Sequence, residues 1–239
     1  LTGECADEVF GGYPWFHREE MLNSGTFPWT PSLTPRKVLL KDDLVKSLHM
    51  DEYVKKIYDR SVSEINVLPS ENEIETNRRR IGYLNIRFFM QTLLNRMDRT
   101  SMFSGLEARV PFADRKLVDY VFNIPWEMKA KDGLVKNILR QASKGLLPDE
   151  ILFRRKSPYP KTYNPYYENL LAKRLKEVLS DSASPLHSLL DLKQVTQFLE
   201  NPKDYGSPWY GQLMAGPQMI AYLLQIEYFL RKYNVSIRI

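Results

Sequence analysis

Apolar residues recur at helical spacing along most of this chain, and the strict alternation that marks a half-buried strand is scarce. The clearest stretch begins at Ser70-Glu71-Asn72-Glu73, a capping-box sequence. After it Ile74, Ile81, Leu84, Phe88, Leu93 and Met97 follow one face of a long helix. Further helices are expected over 51–65, over 136–143 with Gly145 placed to terminate it, and from the cap Asp114 through Asn123, where Pro125 ends it. Amphipathic segments follow over 166–179, 192–199 and 211–231, the last started or kinked by Pro217. Two stretches resist helix. Residues 24–35 carry Pro28, Pro31 and Pro35 and read as an exposed connector, and 157–165 is rich in tyrosine and proline. The fold class is therefore mainly α-helical, with at most one residual strand.

In a chain of 239 residues, 43% hydrophobic content is enough for a real core in one large domain or one and a half. No apolar run reaches the ~18 residues of a membrane span. The single Cys5 excludes an internal disulfide and suits a reducing compartment, so the expected location is cytoplasmic. A net charge of +5, with acidic and basic residues interspersed, suits an anionic small molecule better than nucleic acid.

The chemistry concentrates in the first thirteen residues, Leu1-Thr2-Gly3-Glu4-Cys5-Ala6-Asp7-Glu8-Val9-Phe10-Gly11-Gly12-Tyr13, which hold three carboxylates and three glycines. Glycine permits close approach of backbone to a ligand, and carboxylates at this spacing can ligate Mg²⁺ or accept a proton. Such a loop suits one wall of a nucleotide site.

The loop resembles the Ser-Gly-Glu-Gly-x-Asp-Glu-x-Phe-Gly-Gly-Tyr signature of the glutamine-hydrolysing asparagine synthetases. Residues 96–114, from Arg96-Met97-Asp98-Arg99 through Leu106-Glu107-Ala108-Arg109-Val110-Pro111-Phe112-Ala113-Asp114, are similar to a second block of that family. Lys136-Asn137-Ile138-Leu139-Arg140, Leu147-Pro148 and Arg154-Arg155-Lys156 resemble its Lys-x-x-Leu-Arg, Leu-Pro and Arg-x-Lys elements in the same order. The resemblance implies that residues 1–239 are the C-terminal part of an α/β adenine-nucleotide synthetase domain, with the glutaminase domain and the pyrophosphate loop lying upstream. It also implies an ATP-dependent ligase that adenylates the aspartate side chain and transfers ammonia, drawn from glutamine, to give asparagine, AMP and pyrophosphate. This piece alone is expected to be inactive. ATP and Mg²⁺ are the implied cofactors. Aspartate, ATP, ammonia or glutamine and the upstream segments are the implied partners, a homodimer is a candidate assembly, and neither nucleic acid nor membrane is expected.

By the same resemblance, Glu4 falls on the glutamate that handles the ammonia proton, and Thr2 and Gly3 on the pair that contacts the nucleotide. Asp7 falls on the Mg²⁺ position, with Glu8 as its neighbour, and Lys156 on the lysine that stabilises charge during adenylation. Lys136 and Arg140, four apart on a helix face, are placed to meet phosphates, against the alternative of a solvated basic face. Asp98, Glu107 and Arg109 are expected to be buried hydrogen-bonded pairs that hold the site. Cys5 stands where the signature has glycine or a small residue, and reads as packing. His17, His49 and His187 are too far apart for a zinc set, and Trp15, Trp29, Trp126 and Trp209 read as core or interface residues. Two other readings remain: a related amide-forming synthetase of the β-lactam synthetase or peptide-cyclase type, and a noncatalytic helical interaction domain. β-Lactam synthetases carry Tyr where Glu4 stands, so the glutamate favours ammonia as nucleophile.

Overall fold

The computed structural model describes residues 1–156, 164–200, 208–209, 212–213 and 216–237. It divides into two compact units, Leu1–Pro28 with Tyr58–Pro158, and Trp29–Ile57 with Tyr159–Ile239. The first division falls inside the proline-rich 24–35 stretch, which is exposed only in part. Phe27, Pro28, Trp29 and Pro35 are buried, and the Phe27 ring meets Tyr58 and Phe88 edge-on in the first unit. Prolines prevented a long helix here without making the chain polar, and its aromatic residues found cores to enter.

In the first unit the helix Glu73–Leu84 is capped two residues later than expected. Asn72, with an extended backbone, accepts from the Glu75 N–H at 3.0 Å, and Glu75 returns the bond to the Asn72 N–H at 2.9 Å. Glu71 is drawn instead to Arg79. The long helix does not continue as one α-helix: a π-helical turn, Asn85–Met90, intervenes before Gln91–Phe103. Its wider turn carries the buried face from Ile81 and Leu84 to Phe89 and Met90, leaving Phe88 half-buried. Met90 joins Cys5, Ala6, Val9, Phe10 and Val121 in one core cluster. Val121 lies on the helix Arg115–Phe122, whose start Asp114 caps by accepting from the Lys116 and Leu117 N–H groups, as its sequence indicates.

The second unit is built on Leu39, Leu175, Leu186, Leu190, Val195, Phe198, Met219, Ile220 and Leu223. They come from the helices Pro165–Ser180, Leu192–Glu200 and Gly216–Lys232 and from the segments around Leu39 and Leu186. Helical spacing located all three helices. The last starts later than 211, with Pro217 at its beginning, and Gln212–Leu213 instead pairs with Pro208–Trp209 as a two-residue antiparallel ladder. Among the described residues two short strands therefore stand where at most one was expected. Most of the tyrosine- and proline-rich 157–165 stretch lies outside the described residues. Among the described residues, no helix is long and apolar enough to cross a membrane.

Candidate active site

The acidic loop folds into one turn and a short helix, Ala6–Phe10. Cys5 precedes that helix in the left-handed region, at φ 72°, which explains why glycine suits this position. Its side chain is buried, and burial, reinforced by the charges of Glu8 and Glu4, pushes the thiol up to about 12. A thiol so perturbed is no nucleophile near neutrality, in keeping with a packing role.

Asp7 occupies the centre of the site. Its Oδ1 lies 3.1 Å from Lys136 Nζ and 3.2 Å from Lys156 Nζ, ion-pair distances without aligned hydrogen bonds. Gly12 makes room for it, since a Cβ there would sit 1.8 Å from the same oxygen. Lys156 also donates to the Gly12 carbonyl at 3.3 Å and lies 4.4 Å from the centre of the Tyr13 ring. Tyr13 is itself fixed: its ring stacks on Trp15 at 4.3 Å and its hydroxyl donates to Glu8. Glu8 is 3% exposed, and burial raises its carboxyl above the usual range despite that bond. Glu8 thus supports Tyr13 from within the core and is not a second ligand beside Asp7.

Glu4 points to a different partner. Its Oε1 accepts from Arg96 at 3.2 Å, while Oε2 is buried and makes no hydrogen bond among the described residues. The Glu4 N–H donates to Thr2 Oγ1 at 3.2 Å, and the Thr2 N–H donates to the Arg109 carbonyl at 3.0 Å, which ties the first residues to the second sequence block. A Cβ at Gly3 would meet nothing within 4 Å, so the chain is open to an incoming group there. Of the six residues singled out, the structure gathers Asp7, Lys136 and Lys156 at one point and places Thr2, Gly3 and Glu4 together on the preceding turn.

Several expectations are corrected. Lys136 and Arg140 do not share a helix face: Lys136 precedes the helix Asn137–Ala142 at φ 56°, and Arg140 bonds to backbone carbonyls. Asp98, Glu107 and Arg109 are exposed, and Arg109 meets Glu107 at 3.3 Å in a solvated pair. The surrounding apolar residues Met102, Phe103 and Leu106 are exposed too, so apolar neighbours in sequence were no measure of burial here. Three residues that contact the site, Arg96, Gly12 and Tyr13, drew no separate attention, although Gly12 and Tyr13 close the loop signature and Arg96 opens the second block.

Among the described residues Asp7 is the one carboxylate at this point and is held between two ammonium groups; Mg²⁺ sites built on one or two carboxylates are completed by phosphate oxygens, so Asp7 fits such a site only in company with phosphates. No cluster of three or more His, Cys, Asp or Glu able to hold a metal occurs among the described residues. Two lysines converging on one point, Lys136 half-buried and Lys156 exposed, are suited to a phosphate chain.

Comparison with known proteins agrees with the motifs. The asparagine synthase family matches residues 1–231. Glutamine-hydrolysing asparagine synthetase 3 of Bacillus subtilis is 50% identical over 238 residues, which cover 99% of this chain and 38% of that protein. Glutamine-hydrolysing asparagine synthetase 1 of the same organism is 28% identical over 234 residues, covering 84% of this chain and 36% of that protein. The glutamine-hydrolysing asparagine synthetase of Rattus norvegicus is 45% identical over 67 residues, 27% of this chain. The chain thus spans well under half the length of these relatives.

Proposed function

The chain belongs to the asparagine synthase family, and we propose that it supplies the lysine-lined and acidic walls of a site that activates the aspartate side chain with ATP and converts it to the amide with ammonia. The observation that carries this reading is the convergence of Lys136 and Lys156 on Asp7. Departure of pyrophosphate concentrates negative charge on the leaving oxygens, and two preorganised ammonium groups stabilise that charge more than they stabilise the bound triphosphate. Asp7 holds them in place until the phosphates arrive and compete for the same donors. Thr2 and Gly3 approach the nucleotide through hydroxyl and open backbone. Glu4, with one unpartnered oxygen, is placed to take the proton that ammonia must lose on attacking the acyl carbon. Any Mg²⁺ would arrive with the phosphates, whose hold on the two lysines would free the Asp7 carboxylate to meet the ion.

The test uses the full-length protein that carries this chain. Lys156→Ala should lower ammonia-dependent pyrophosphate release by on the order of 10²-fold with aspartate and ATP, whereas Lys173→Ala, at an exposed position of the second unit, should leave it near normal. Equal and small effects at both positions would remove Lys156 from the site. Turnover of another carboxylate in preference to aspartate would favour the related-synthetase reading.

A further inference from the structure

We infer that Arg140 is a positioning residue that locks the two site lysines together. The inference rests on the functional reading above and extends it to a side chain that does not itself reach Asp7. The Arg140 guanidinium spreads over three backbone carbonyls: Nε donates to Val135 at 2.9 Å, one terminal nitrogen donates to Leu152, and the other reaches Arg154 at 3.5 Å. Val135 immediately precedes Lys136, and Arg154 lies two residues before Lys156. One fork therefore joins the two backbone segments from which the lysines extend toward Asp7.

Both segments need such a tie. Lys136 sits at φ 56°, a left-handed conformation that a non-glycine residue holds only when its surroundings impose it, and no side chain caps the helix it begins. Residues 153–156 follow the four-residue helix Asp149–Leu152 without regular structure of their own. Lysine cannot replace the fork, because a single ammonium group cannot span three separated carbonyls in fixed directions.

The experiment compares Arg140→Met and Arg140→Lys in the full-length protein, each alone and in a Lys156→Ala background. Folding is checked by thermal midpoint, and the Lys substitution serves where Met fails to fold. Two readouts are taken: pyrophosphate release, and competitive acetylation of lysines by acetic anhydride mapped by mass spectrometry. In the parent protein Lys156 should label slowly. Either Arg140 substitution should raise labelling of Lys136 and Lys156 several-fold while leaving exposed Lys173 unchanged, and should cut kcat by roughly tenfold or more with Lys156 present and by clearly less once Lys156 is gone and only Lys136 is left to hold. Unchanged labelling, or an equal kcat loss in both backgrounds, would show that Arg140 acts only on general stability and would overturn the inference, as would Arg140→Lys matching the parent. If Lys156→Ala itself proves silent, the functional reading fails, and the labelling result still decides whether Arg140 holds the lysines.

Discussion

At the residue scale, two glycines of the same loop separate packing from ligand approach. Gly12→Ala forces a methyl into the space of the Asp7 carboxylate, which cannot retreat without leaving both lysines. Overpacking of this kind costs on the order of 1–3 kcal/mol, and activity should fall further because the lysine pair loses its anchor. Gly3→Ala meets open space, so thermal stability should stay within about 0.5 kcal/mol while ATP affinity falls. Calorimetric titration of ATP, read beside the melting curve, separates the two cases; a Gly3→Ala protein that binds ATP normally would show that no nucleotide passes there. Glu4→Gln keeps size and its bond to Arg96 but removes the base, so turnover with ammonia should drop by roughly 10² with little change in ATP affinity. Unchanged turnover would leave Glu4 as the ion-pair partner of Arg96 alone.

At the element scale, the cap at Asn72 gives a clean measurement because it is remote from the lysines in sequence and lies largely at the surface. Asn72→Ala should cost about 1 kcal/mol in urea unfolding and Ser70→Ala almost nothing; the reverse order would restore the cap to Ser70. Helix existence was legible in the spacing of apolar residues, and the Asp114 cap in its side chain and the following pattern. The π turn was not legible, because it arises from how Asn85 and Met90 pack against the 5–10 segment and Phe89 against Tyr13 and Trp15. Buried Asn85, for instance, donates to the Glu8 carbonyl 77 residues away. Arg140 escaped for a related reason. Its partners at Leu152 and Arg154 are main-chain carbonyls, present at every residue and therefore silent in sequence, whereas the Asp7–Lys156 pairing joins two motif residues and could be sought by name.

At the scale of the whole molecule, the charge of +5 says little about stability, because most ionisable groups are exposed, and the burden falls on a few buried ones in the first unit. Lys129 is 9% exposed and donates to the Phe122 carbonyl at 3.1 Å. Burial, with the nearby Arg79 charge, lowers its ammonium from 10.5 to about 8. Between those values the unfolded chain binds a proton that the folded chain does not, so stability rises with pH across that window. Below about pH 8 both states are protonated and the full cost of burying the charge is felt, roughly 3 kcal/mol at about 1.4 kcal/mol per pH unit. Lys129→Met removes that cost and also a hydrogen bond worth about 1 kcal/mol, so the variant should be the more stable by roughly 2 kcal/mol at pH 7. Its advantage should shrink steadily from pH 8, vanish near about pH 9.5 and reverse above that, where the parent lysine is neutral in the fold and keeps its bond. Urea unfolding of both proteins at pH 7, 8, 9 and 10 checks this, since tyrosines and other lysines contribute equally to each and cancel in the difference. A difference independent of pH would mean that Lys129 keeps its charge across this range in the folded protein.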